Sequence, residues 1–304
     1  MTRTTAPQAL AAAALVVAAM ALLGLSDNLV ALVAAEVGLW QFHATRSVIA
    51  LILVVAVARF YGVALRPLRL STVVLRSLLV SLSMVFYFGA LAFVSVAQSA
   101  AGLFTAPIWV LLITFLVMRR AIQIWTILAV TLGFGGALLV LQPDVTALSP
   151  VLLMPIVAGV LYALAAIMTR AYCAREHTLC LLAGFFVAIL FWGLLGCAIL
   201  ALWQPDVPQG AEGFLLRGWE PLSGSQFALI AVQAILAVVG VGLITKGYLL
   251  AEASFVSVFE YSLLIFGALW GWWIWSQTLD LWAIAGMGMI VVSGLVLARR
   301  GVSA

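Results

Sequence analysis

Ten apolar runs divide this chain, each of about the 20 residues that cross a hydrocarbon core as a helix, and that division constrains its fold more than any other feature. Charges and Pro/Gly clusters bound the runs at residues 8–34, 39–58, 71–93, 96–117, 124–142, 150–170, 178–203, 225–249, 253–275 and 280–298. None alternates apolar with polar positions, which excludes the short period-two strands of an outer-membrane barrel. The expected fold is therefore all-α and integral to the membrane, with ten transmembrane helices. Composition agrees, because 66% hydrophobic and 8% charged residues leave too few polar groups to cover a water-exposed surface. The first run follows Arg3 and is rich in alanine, as a secretory signal is. At roughly 25 residues, with nine runs after it, it reads instead as a retained helix.

Arginines set the expected orientation. A cytoplasmic N-terminus places Arg3, Arg59, Arg66, Arg69, Arg76, Arg119, Arg120, Arg170, Arg175, Arg299 and Arg300 inside, and leaves Arg217 in an outside loop. Both termini are then cytoplasmic. The chain divides into five-helix halves, 1–145 and 146–304, and an odd number of spans gives the second half the opposite polarity to the first. An internal likeness supports the division. At an offset of 154, Ala97-Gln98-Ser99-Ala100-Ala101 falls on Ala251-Glu252-Ala253-Ser254-Phe255. At 157, Ile124-Trp125 falls on Leu281-Trp282, Ala129 on Gly286 and Ala137 on Gly294. Inverted repeats have a physical use, since two copies of one bundle give outward-open and inward-open states by exchanging conformations.

Several classes of chemistry lack their residues. Cys173, Cys180 and Cys197 have no metal-ligand or disulfide spacing, and His43 and His177 lie far apart, so no metal site is expected. There is no phosphate-binding glycine loop with its lysine, no paired Asp-rich motif and no Ser/His/Asp set. An enzyme is not expected, and neither is a cofactor. The net charge of +4 is accounted for by topology and gives no reason to expect nucleic acid. The expected partners are the lipid bilayer and a small-molecule substrate, with no obligatory protein partner evident.

The small residues leading into the fourth helix (Ala97, Ala100, Ala101), Pro107 after them, and the Gly/Ala-rich fifth and tenth helices (Gly133, Gly135, Gly136; Gly286, Gly288, Gly294) give a ten-helix pattern that resembles the EamA-type drug/metabolite transporters. The likeness covers nearly the whole chain. Arg46 matches an arginine common in the second helix of such sequences. Glu260-Tyr261 stands where the second repeat commonly has Glu-Pro, and Ser276-Gln277 where Gly-Glu often closes the ninth helix. The resemblance, strongest to the aromatic and other amino-acid exporters, implies an exporter of amino acids and related small metabolites, with multidrug or cation efflux as the alternative.

Side chains at membrane depth are the candidates for the site. Charges there cost about 2.5 to 3.5 kcal/mol on insertion scales, so each needs a partner or a wet cavity. Asp27 and Arg46 lie toward the outer side, Lys246 and Glu260 toward the inner side, and they read either as two structural ion pairs or as mirrored coupling or gating groups. Tyr87, Trp109 and Tyr162 lie well inside their helices, where a hydroxyl or indole needs a partner that a lined cavity supplies; plain packing is the other reading. Asn28 and Tyr261, beside the two acids, complete the substrate-binding set. Trp40, Trp203, Trp219, Trp270, Trp272, Trp273 and Trp275 read as interfacial anchors. Pro107 frees a backbone carbonyl and permits a bend. Gln98 and Glu252, at equivalent short turns, are the expected tips of moving hairpins, while Gly133, Gly136 and Gly294 suit close helix packing. The longest loop, 204–224, reads as a solvated connector, with a cover over the outer vestibule as the alternative. Substrate gradient or protons would drive transport, and Glu260 and Asp27 offer the proton sites. The expected location is the inner (plasma) membrane.

Overall fold

Helix starts are written into the sequence by one repeated device. Ser95 and Ser223 each precede a glutamine by three residues: Ser95 N–H donates to Gln98 Oε1 at 3.1 Å and Ser223 N–H to Gln226 Oε1 at 2.8 Å, while the serine hydroxyls accept from the glutamine N–H groups. Each capping box satisfies donors that a membrane cannot solvate. In a computed structural model, which describes residues 5–91, 93–144 and 150–300, these boxes open two of twelve helices.

The helices are α1 (Ala6–Ala34), α2 (Leu39–Phe60), α3 (Leu70–Ala90), α4 (Val96–Leu103), α5 (Ala106–Leu112), α6 (Ile124–Leu141), α7 (Leu153–Tyr172), α8 (Thr178–Trp203), α9 (Gly224–Leu250), α10 (Ala253–Phe259), α11 (Ser262–Trp275) and α12 (Leu281–Arg300). No strand occurs among the described residues. With α4–α5 and α10–α11 each counted as one broken span, ten helical stretches among the described residues are long and apolar enough to cross a membrane, matching the ten apolar runs. Arg3 lies outside the described residues.

Both breaks have identifiable causes. In the fourth span Pro107 lacks the N–H that would bond the carbonyl of Leu103. Thr105 N–H turns back to Gly102 O at 3.2 Å, its hydroxyl donates to the same oxygen at 2.6 Å, and a π-helical turn follows at Ile113–Val117. The ninth span breaks at Glu260 and Tyr261 without a proline. There Glu260 N–H bonds Ser257 O at 3.2 Å and Leu263 N–H bonds Glu260 O at 3.0 Å, so the ladder tightens from four-residue to three-residue spacing. Tyr261 joins the two breaks: its hydroxyl donates to Phe104 O at 3.2 Å, and its fully buried ring packs on Gly133, where a Cβ would lie 2.6 Å from the ring.

Packing follows a simple scheme. The main pairs are α1 with α9, α2 with α8, α3 with α7 and α6 with α12; α4 and α5 lean on α7, and α10 and α11 lean on α1. Gly136 and Gly286 set the tightest crossing of α6 and α12, each so close to the other's carbonyl oxygen that an added Cβ would lie 2.6 or 2.5 Å from it. Small residues permit that approach where lipid supplies no hydrophobic drive to associate.

The 204–224 loop is not the expected solvated connector. Phe214 is buried, and its carbonyl accepts Leu39 N–H at 2.7 Å. Arg217 donates to Ala34 O at 3.2 Å and Gly210 O at 2.8 Å, and Trp40 donates to Leu215 O at 3.1 Å. The loop seals the α1–α2 turn because open carbonyls at a helix end need donors, and Arg217 provides them.

Candidate functional site

A cavity of about 210 Å³, measured to the centre of a water-sized sphere, lies among α1, α2, α3, α4, α5, α7, α8, α9 and the break between α10 and α11. Its lining is largely apolar, with Met20, Leu23, Met84, Phe104 and Phe185 among the walls. Against this background stand four charged side chains: Asp27, Arg46, Arg76 and Glu260. A charge in such surroundings costs several kcal/mol unless it is paired, hydrogen-bonded or wetted.

The first pair sits near the end of α1 and the start of α2. Asp27 is exposed to the cavity, and Arg46 stacks over the Phe42 ring, 4.7 Å from its centroid, with one terminal nitrogen 3.1 Å from His43 Nδ1. The Arg46 Nε is buried without a hydrogen-bond partner. No ion pair within 4.0 Å joins Arg46 to Asp27 among the described residues. Tyr87 and Phe88 line the same end.

Glu260 occupies the opposite wall. The break in the ninth span puts its carboxyl, 6% exposed, on the cavity instead of along a continuous helix. The Tyr162 hydroxyl donates to Glu260 Oε1 at 2.7 Å, and the Tyr248 hydroxyl lies toward the same carboxylate without completing a hydrogen bond. A carboxylate carrying one phenolic donor and no cation keeps acceptor sites open to a ligand.

Arg76 lines the same cavity, eleven residues before Tyr87 on α3 and hence roughly 16 Å from it along the helix axis. The arginine rule counts it among interfacial residues, yet it is 5% exposed and two turns inside α3. Its Nε donates to Thr169 Oγ1 at 3.1 Å, and its terminal nitrogens donate to Leu181 O and Thr245 Oγ1, each at 3.3 Å. One side chain thereby ties α3 to α7, α8 and α9. A signal was available in the sequence: Arg76 stands five residues inside the apolar run 71–93, not ahead of it. Thr169, Thr245 and Tyr248 carry no such mark, because single hydroxyls in apolar helices are common.

Of the residues expected to form the site, Asp27, Arg46, Tyr87, Pro107, Tyr162 and Glu260 line this cavity. The others stand elsewhere. Asn28 donates to Gly24 O and Gly267 O, fastening α1 to α11. Trp109 donates its indole N–H to Thr105 Oγ1 and packs against the core around α1 and α10. Tyr261 is fully buried between Gly133 and Phe104, away from the cavity wall. Lys246 is exposed and forms no ion pair with Glu260 among the described residues, so the two are not a structural ion pair; the Tyr162 hydroxyl takes the carboxylate instead.

The two hairpin tips are tied down. Gln98 closes its capping box and donates to Asp144 O at 2.8 Å. Glu252 shares its carboxylate between Arg120 at 3.7 Å and Arg170 at 3.9 Å, while Arg170 also donates to Leu249 O at 2.7 Å. At the end of α6, Gln142 donates to Asp280 Oδ2 at 2.6 Å and Ala283 N–H bonds Asp280 Oδ1 at 2.7 Å. These donors hold the Asp280 carboxyl below the usual aspartate range. Among the described residues no group of three or more His, Cys, Asp or Glu side chains could hold a metal ion.

No family model matches the chain. It is 27% identical over 258 residues to the pseudopaline exporter of Pseudomonas aeruginosa, covering 84% of each chain. It is 26% identical over 250 residues to a riboflavin transporter of Vibrio cholerae, covering 81% of this chain and 78% of that one, and 26% identical over 218 residues to an uncharacterized transporter of Helicobacter pylori. A solved crystal structure superposes on 98% of the chain with a TM-score of 0.76 at 18% identity, which establishes that the fold is shared. The chain is a multi-pass membrane protein whose named relatives carry small molecules.

Proposed function

We propose that this protein exports amino acids and related small metabolites across the inner (plasma) membrane by alternating access, as a carrier and not an enzyme. The observation that carries the reading is the cavity, in which both halves of the chain place charged and aromatic side chains at membrane depth: Asp27, Arg46, Arg76 and Tyr87 from the first, Tyr162 and Glu260 from the second. Intramembrane charges facing a cavity mark a substrate or ion path. Relatives named for export of pseudopaline and transport of riboflavin support small-molecule transport. The resemblance to EamA-type exporters supports the narrower choice of amino acids.

Inverted five-helix repeats, 1–145 and 146–304, with cytoplasmic termini are part of the proposal. Exchanging each span with the one five later maps the main packing pairs onto themselves: α1 with α9 becomes α7 with α3, α4–α5 on α7 becomes α10–α11 on α1, and the α2–α8 and α6–α12 pairs map onto themselves. The breaks at Pro107 and Glu260 fall at corresponding points, which suits them as hinges of two mirrored spans. Asp27 and Glu260 would carry any coupled proton.

Counterflow tests the function. Proteoliposomes of purified protein, preloaded with unlabelled amino acids, are challenged with labelled threonine, methionine and phenylalanine in turn. Accumulation that vanishes without the preload is expected; its absence for every amino acid overturns the amino-acid reading. Efflux of lipophilic cations is the second reading, favoured by the open carboxylate of Glu260 beside Tyr162 and Tyr248, since aromatic faces attract cations.

A further inference from the structure

We propose that Arg76 is the carboxylate-binding group of the transport cavity, which restricts its substrates to molecules carrying a carboxylate. The inference rests on the transporter reading and adds to it a binding residue and a substrate class.

Arg76 is held by neutral groups alone. A guanidinium has five N–H donors. Three are used, by Thr169 Oγ1, Leu181 O and Thr245 Oγ1, leaving one N–H on each terminal nitrogen without an acceptor, the number that a bidentate carboxylate takes up. All three acceptors are neutral. Thr169 cannot neutralise the charge, because its hydroxyl donates to Ala165 O at 2.8 Å while accepting from Nε. No carboxylate lies within ion-pair distance of Arg76 among the described residues. A cation 95% buried, oriented by three neutral acceptors from three helices and facing a cavity, is fixed in place without being discharged.

Two other arginines are held differently. Arg217, 8% exposed, caps the carbonyls of Ala34 and Gly210 and lines no part of the cavity. Arg170, at the cytoplasmic-facing end in the proposed topology, has Glu252. Arg76 alone of these three combines deep burial, neutral partners and a place on the cavity wall. Lysine would not serve as well, because the planar fork is what the two threonines and the Leu181 carbonyl orient. Glu260, hydrogen-bonded to Tyr162, lines the same cavity with the opposite charge, so a zwitterion meets both signs within one cavity.

The test uses purified full-length protein and four probes that differ at one group: L-phenylalanine, L-phenylalaninamide, 3-phenylpropanoate and phenethylamine. Each is measured as a competitor of phenylalanine counterflow in proteoliposomes and as a stabiliser of the protein in thermal unfolding. Both carboxylates are expected to bind at least about tenfold more tightly than the amide and the amine, the scale of a charge-assisted bidentate contact. Arg76→Gln is expected to abolish that preference, and Arg76→Lys to restore part of it. Equal potency of acid and amide on the wild type overturns the proposal, and so does an undiminished carboxylate preference in Arg76→Gln. If Arg76→Gln does not fold, Thr245→Val, which removes one acceptor and leaves the charge, is expected to weaken the carboxylates more than the amine; equal weakening of both is overturning. Lack of counterflow with every amino acid defeats the amino-acid function alone, since stabilisation by 3-phenylpropanoate that depends on Arg76 still upholds the site. No stabilisation by either carboxylate defeats the site.

Discussion

Asp27 and Glu260 are the two carboxylates on the cavity wall, and their surroundings differ. Glu260 accepts the Tyr162 hydroxyl at 2.7 Å, whereas Asp27 has Arg46 as its neighbour in the wall without an ion pair. The double variant Asp27→Asn with Glu260→Gln is expected to abolish any pH dependence of counterflow, since it removes both carboxyl groups from the cavity wall; pH dependence that survives the double variant means protons couple elsewhere. Asp280 offers a test outside the membrane. Its native proton affinity is depressed by Gln142 and by the Ala283 N–H, so it contributes stability that is present above the unfolded value and lost as pH falls through the native one. Asp280→Ala is therefore expected to lower the melting temperature at neutral pH, with the gap to wild type closing under acid; a gap that persists under acid contradicts this linkage. Residue-scale reading of the sequence was uneven for a physical reason. Charges at membrane depth are conspicuous, so Asp27, Arg46 and Glu260 were legible, while Tyr248, Thr169 and Thr245 look like any core residue until neighbouring helices turn them toward one cavity.

Helices are where sequence reading succeeds best, because a bilayer admits helices of a fixed length and nothing else irregular. The ten runs agree with the ten stretches to within a few residues, and Pro107 marks the break in the fourth span. The break at Glu260–Tyr261 was not legible, since no proline stands there and the tightened turn is held by tertiary contacts. Tyr261 supplies them: its hydroxyl meets Phe104 O at 3.2 Å and its ring lies on Gly133. It joins break to break and does not line the cavity. Tyr261→Phe is accordingly expected to lower stability by about 1 kcal/mol, the worth of one buried hydrogen bond, and to leave the ranking of transported substrates unchanged. Thermal unfolding and counterflow on the same preparation separate these effects, and an altered substrate ranking with unaltered stability would return Tyr261 to the binding site.

At the scale of the whole molecule, the proposed alternating access requires that the ties at one end release while those at the other form. Glu252 is one such tie: it holds the α9–α10 turn to Arg120, beyond the fourth span, and to Arg170, at the end of the sixth. Its side chain is 44% exposed, so the two ion pairs contribute at most about 1 kcal/mol each and can be exchanged for solvent at little cost. A latch must have that property, because a tie worth much more would trap one state. Behind it lies a small pocket lined by Thr114, Met118, Ile167 and Ala171. In a background lacking Cys173, Cys180 and Cys197, Ile167→Cys reports on access to that pocket, and Glu252→Gln is expected to speed its labelling by a water-soluble maleimide several-fold, in line with a shift of about 1 kcal/mol between closed and open populations. Raised salt should speed labelling of the wild type, by screening the exposed pairs, and leave Glu252→Gln unaffected. Labelling that is equally slow in both proteins at all salt concentrations would place the gate at another contact and leave Glu252 as an ordinary surface ion pair.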